Sequence, residues 1–220
     1  MSLNPDETGP IVLFDAADLA PERCFAAVLS PEGSFDGVPA GRLLLSVGLE
    51  DLQDDACTKL FARFRPSGVL LSGCRTRVQV QAADVALGVI EAETGRTEGD
   101  LAIVAVFGAD PASFLGAERL AGTSRRLIAL VLDEDALSAA IGLMSQAARS
   151  LSPAIQLARG AMILRAADAG LPCFWSLPLG ETDGHALLRL RDAALQFGFR
   201  DVVVRTAHHR IVLGRADARD

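Results

Sequence analysis

The chain has 220 residues, 50% hydrophobic and 22% charged, enough apolar material to bury a sizeable core without disulfide or metal staples. A formal charge of -7 with no offsetting basic run argues against nucleic acid and anionic membranes as partners. The acidic start MSLNPDETGP lacks a basic, apolar leader and no apolar run approaches the ~20 residues that span a bilayer, so a soluble, cytoplasmic, single-domain protein over residues 1–220 is expected. Cys24, Cys57, Cys74 and Cys173 are scattered, with no CxxC pair and no histidine nearby. That pattern fits buried thiols better than a zinc site or a disulfide framework.

Taken in order, residues 11–14 form a short buried-type strand, and Pro21 opens a helix over 22–29. A Pro- and Gly-rich loop follows, then a strand at 42–47 and a helix over 49–64 with apolar positions at Leu49, Leu52, Ala56, Leu60 and Phe64. A strand at 68–72 leads through Ser72-Gly73-Cys74-Arg75 to a helix carrying Val78, Ala82, Val85, Leu87 and Val89. Residues 102–107 and 127–132 are aliphatic runs without polar alternation, as expected of strands covered on both faces. Asp110 follows the first run, and Asp133, Glu134 and Asp135 follow the second, with a helix extending toward Arg149.

Ser152-Pro153 marks a helix start, Gly170 its αL end, 171–175 a strand, 183–196 a helix closed by Gly198, and 202–205 the last strand. This alternation permits an open doubly wound sheet or a closed barrel. No GxGxxG follows the first strand and no GxxxxGK[ST] occurs, which favours a barrel of parallel strands in chain order. Seven strands can be counted, one short of eight, so the expectation is a TIM-type α/β barrel that is incomplete or seven-stranded.

Several of these segments resemble the citrate lyase beta-subunit-like family of class II aldolase and lyase barrels. The family's LDLEDAV is similar to Leu13-Phe14-Asp15-Ala16-Ala17-Asp18-Leu19, its GIVLPKVES to residues 68–76, its ALMFGAEDLAADLG to 129–142, and its ARSxLVLAARAAGLP to 158–172. The resemblance implies a carbon–carbon lyase acting on an acyl-CoA or short oxo acid, with Mg²⁺ if active, and a homo-oligomer. It implies catalytic roles for Asp15, Asp18, Arg75 and His208, and metal-ligand roles for Asp110 and Asp135.

Departures cluster at functional positions. The family's leading strand RSLLFVPG has no room before Ile11, which would leave the strands at Ile11 and Val202 with unpaired edges. Its substrate arginine falls on Ser46, the lysine and glutamate of PKVES on Gly73 and Arg75, its magnesium glutamate on Phe107 or Gly108, and the aspartate of GAEDL on Ala136. Trp175 stands at a family aspartate and would make that part of the mouth apolar. Asp110 and Asp133 are also ordinary helix caps, and Asp15 and Asp18 serve equally as turn or cap residues. His208 and His209, read as extended, would point oppositely, so that one of them faces the site. Loss of several ligand groups at once points to a degenerate site, and the alternative is a non-catalytic binding or assembly subunit that retains the barrel.

Overall fold

A computed structural model describes residues 11–14, 26–29, 43–116, 118–143, 145, 149 and 151–217. Eight parallel strands in chain order close into a barrel: β1 (Ile11–Phe14), β2 (Ala26–Leu29), β3 (Leu43–Val47), β4 (Gly68–Cys74), β5 (Ala102–Phe107), β6 (Leu127–Leu132), β7 (Cys173–Ser176) and β8 (Asp201–Val204). Outside them lie α1 (Asp55–Phe64), α2 (Arg77–Thr94), α3 (Glu134–Ala140), α4 (Pro153–Ala169), α5 (Gly184–Phe197) and α6 (Ala207–Asp217). The TIM-type class and the chain order of the strands are as the alternation predicts.

The strand count differs, and the difference lies in one segment. Ala26–Leu29 pairs in parallel with β1 on one side and β3 on the other, where the pattern after Pro21 reads as a helix. AAVL is too short for periodicity to separate strand from helix, and ring closure decides it. Ile11 and Val12 pair with Val203 and Val204, so neither edge is open. The expected gap before Ile11 is therefore closed by β8 within the one chain.

Alternation along the strands builds two cores. Leu44, Leu70, Val104, Ala129, Val131, Phe174 and Val203 fill the barrel interior. Their neighbours, including Leu45, Leu71, Phe107, Leu132, Trp175 and Val204, face outward against helix residues such as Phe61, Leu87, Met162 and Leu187. Trp175 is therefore a core residue beside Phe197 and Phe199, not part of the mouth. Phe174 takes the inward direction because adjacent strand residues point to opposite faces.

Helix ends follow the sequence signals. Ser152 is the N-cap of α4 with Pro153 in the first turn, and Gly170 and Gly198 end α4 and α5 in the αL conformation. The segment 49–64 is divided, with a 3-10 turn at Asp51–Gln53 and α1 beginning after the Asp54 cap, whose carboxylate accepts from the Ala56 N–H. Cys57, Cys74 and Cys173 are buried free thiols; burial raises Cys57 to about 11 and Cys74 to about 12. Cys24 lies outside the described residues.

At the N-terminal ends of β5 and β6, Arg126 donates to both Glu91 oxygens (2.5 and 2.7 Å) and to Asp84 (2.6 Å). Glu91 also accepts from the N–H groups of Leu101 and Gly99. Burial pushes the Glu91 carboxyl up, but Arg126 and the backbone donors outweigh it and hold it low. Removing one partner strands a buried charge, so Arg126→Ala is expected to cost about 3–5 kcal/mol in urea unfolding, against well under that for Arg119→Ala in the exposed pair with Asp168.

Candidate functional site

The C-terminal mouth of the barrel is built by continuing the inward parity past the apolar plug. Two residues beyond Leu44, Leu70, Val131, Phe174 and Val203 stand Ser46, Ser72, Asp133, Ser176 and Arg205. The Ser46 and Ser72 hydroxyls are 3.5 Å apart. Across the mouth, Arg205 Nη1 donates to Asp133 Oδ1 at 3.3 Å and to Asp135 Oδ2 at 3.1 Å, tying the end of β8 to the end of β6. Asp133 also caps α3 through the Ala136 N–H.

Asp135 is held by two further neighbours. Arg149, in the connection between α3 and α4, pairs with Oδ1, and the Leu179 N–H donates to Oδ2 at 2.9 Å. A cavity of ≈ 370 Å³ opens beside this cluster, lined by Asp135, Arg149, Pro178, Leu179, Gly180 and Glu181. A larger one of ≈ 610 Å³ lies at the opposite end, among Gly170, Pro172, Gly198 and Phe199 where chain enters β7 and β8. Functional sites of such barrels gather at the C-terminal face, so the smaller cavity is the relevant one.

Glu134, between the two aspartates, turns away from the mouth. It is buried and receives two hydrogen bonds from Arg159 (2.9 and 2.8 Å), whose guanidinium lies 4.3 Å over the Trp175 ring. Burial pushes the Glu134 carboxyl up, and Arg159 draws it partly back.

The other predicted residues are placed as follows. Asp15 and Asp18 lie outside the described residues. Asp110 caps the 3-10 turn Pro111–Phe114 through the Ala112 N–H and sits 3.7 Å from Arg75 Nε, a loose exposed pair on the rim. Residues 208 and 209 belong to the first turn of α6 rather than an extended segment. Their side chains are about 100° apart and not opposed. Both Nε2 atoms therefore reach the same loop, His208 to the Thr182 carbonyl (2.9 Å) and His209 to the Glu181 carbonyl (2.9 Å). His185, at the start of α5, is exposed.

Magnesium is a poor match for these residues. It needs oxygen ligands at ~2.1 Å in near-octahedral array. Phe107 faces the outer core, which leaves Gly108 as the strand-end position of β5 on the inward side. A Cβ on Gly108 would lie 2.1 Å from the Asp133 carbonyl oxygen, so no carboxylate can be carried there. Ala136 has no donor, and the Asp135 oxygens are held by two guanidinium groups and an amide. Among the described residues, no group of three or more His, Cys, Asp or Glu converges as a metal site.

Arg205 and Arg149 were not singled out by sequence reasoning. The signal for Arg205 was available, since it stands two residues beyond the inward Val203, but that parity is visible only once the interior residues are known. Arg149 leaves no such trace, because it lies on a helical turn outside the strands, where strand parity says nothing.

His209 is buried, and burial, with His208 and Arg205 nearby, lowers its pKa below 6.5 against the opposing effect of the Glu181 carbonyl. The fold thus accepts the neutral ring. Its contribution is present above the unfolded value and is lost as pH falls through the lowered folded value. Thermal unfolding from about pH 7.5 to about pH 5 is expected to show a steeper loss of Tm in the wild type than in His209→Gln.

No protein-family model matches the chain, and no curated protein sequence does. Solved structures do match over nearly its whole length. Malate synthase from Haloferax volcanii has 14% identity and a TM-score of 0.74, covering 99% of this chain and 77% of that one. RipC from Yersinia pestis has 16% identity and a TM-score of 0.68, covering 94% of each chain. Protein CitE from Mycobacterium tuberculosis, in complex with magnesium and acetate, has 16% identity and a TM-score of 0.67, covering 96% of this chain and 91% of that one. At these identities the likeness is one of fold: the chain has the barrel fold of these three structures.

Proposed function

We propose that this chain binds a short oxo acid, free or as its acyl-CoA, at the barrel mouth without magnesium, in a carbon–carbon lyase fold whose metal-dependent cleavage has been lost. One observation carries the reading: Asp135, the carboxylate nearest the family's metal register, is paired with both Arg149 and Arg205. A divalent cation there would face two fixed positive charges. The ligand class rests on the neighbours, since CitE is seen with magnesium, acetoacetate and coenzyme A and the malate synthase with magnesium and glyoxylate.

Arg205 supplies the attraction that the metal would otherwise provide. It uses Nη1 for both aspartates, and its Nε and Nη2 make no hydrogen bond among the described residues. That edge of the guanidinium matches the two oxygens of a carboxylate. The Ser46 and Ser72 hydroxyls at the mouth are the neutral donors available for an oxo group. Calorimetric titration with glyoxylate and with acetoacetate in EDTA is expected to give binding unchanged by added Mg²⁺, with no Mg²⁺-dependent carbon–carbon cleavage. Binding that requires Mg²⁺, or micromolar Mg²⁺ affinity that disappears in Asp135→Ala, would restore the lyase reading.

A second reading, a non-catalytic assembly subunit, is favoured by the outer face of α2, where Val78, Val85 and Val89 are 63%, 71% and 53% exposed on one stripe. Self-association through this face would bury it in a homo-oligomer. Sedimentation at micromolar concentration is then expected to give a multiple of 23.1 kDa that reverts to one chain in Val85→Asp.

A further inference from the structure

We infer that the Arg205 guanidinium stands where a divalent cation would otherwise sit between Asp133 and Asp135, so that the cation of this mouth is a side chain carried by the end of β8. The inference deepens the metal-independent reading above and rests on it, but the test below uses no oxo acid and therefore fails separately.

Two carboxylates from residues two apart converge on one nitrogen, Asp133 Oδ1 at 3.3 Å and Asp135 Oδ2 at 3.1 Å from Arg205 Nη1. Like charges brought this close repel unless a cation lies between them. The side chains are 17%, 23% and 19% exposed for Arg205, Asp133 and Asp135, so water screens the pair only in part. Arg149 takes the opposite oxygen of Asp135, which leaves the shared Nη1 as the one cationic atom between the two aspartates among the described residues.

Arg205 reaches its partners across β7, from the strand end of β8 to that of β6. A metal ion held there would exchange with solvent and could be removed by a chelator; a guanidinium is always charged and cannot leave. The substitution also changes the chemistry on offer. A metal ion polarises an oxygen as a Lewis acid, whereas a guanidinium presents planar hydrogen-bond donors, which suits holding a carboxylate rather than stabilising an enolate.

Removing the charge of Arg205 should therefore uncover a cation site. Arg205→Gln is expected to bind Mn²⁺ at least about tenfold more tightly than the wild type, read by loss of the free Mn²⁺ electron paramagnetic resonance signal. Arg205→Lys, which keeps the charge, is expected to show no gain, and Arg205→Gln with Asp133→Asn is expected to lose it. If Arg205→Gln does not fold in EDTA, recovery of its circular dichroism on adding Mn²⁺ supports the inference. A folded Arg205→Gln that binds Mn²⁺ no more tightly than the wild type, or an unfolded one that no divalent cation restores, overturns it.

Discussion

Closure of the ring between β1 and β8 constrains everything else in this molecule. Each strand must find a backbone partner on both sides, and in a closed barrel the inward residues must then fill a space of fixed width. Leu44, Leu70, Val104, Ala129, Val131, Phe174 and Val203 meet that demand. Whatever stands two residues further along each strand is thereby presented at the mouth. The polar ring of Ser46, Ser72, Asp133, Ser176 and Arg205 is a consequence of strand parity before it is a consequence of any chemistry.

Charge is then arranged in opposed ways at the two ends. At the N-terminal face, Arg126 and Glu91 form a buried pair that also satisfies the N–H groups of Leu101 and Gly99, and its role is to fix the chain entering β5. At the C-terminal face, Arg149, Arg205, Asp133 and Asp135 form a partly exposed network that joins β6, β8 and, through the Leu179 N–H, the loop after β7. The same loop is held from its other side by His208 and His209. The mouth is therefore braced by side chains drawn from β6, β8 and α6.

Gly108 illustrates how backbone approach can exclude a chemistry. The strand end of β5 comes so near the Asp133 carbonyl that a side chain has no room, whatever its type. The path of the chain after β6 excludes a carboxylate at this place, and introducing one by substitution would require the β5 and β6 ends to separate.

The sequence by itself determined the class of fold and much of its punctuation. Two-sided apolar runs at 102–107 and 127–132 have the pattern of strands covered on both faces and form β5 and β6, and Gly170, Gly198 and Ser152-Pro153 mark helix ends for reasons local to the backbone. The resemblance likewise set Ala136, and Phe107 or Gly108, opposite the family's carboxylates, a comparison that needs only the residue types. Tertiary structure alone decided the rest. AAVL at residues 26–29 has no periodicity of its own, and it becomes a strand because β1 and β3 need a partner between them. Trp175 moved from the expected mouth to the outer core through the parity of β7, and the paired histidines moved onto a helix turn where both reach one loop. The convergence of Arg149 and Arg205 on Asp135 joins residues 14 and 70 positions away, and such distant charges meet only after the ring has closed.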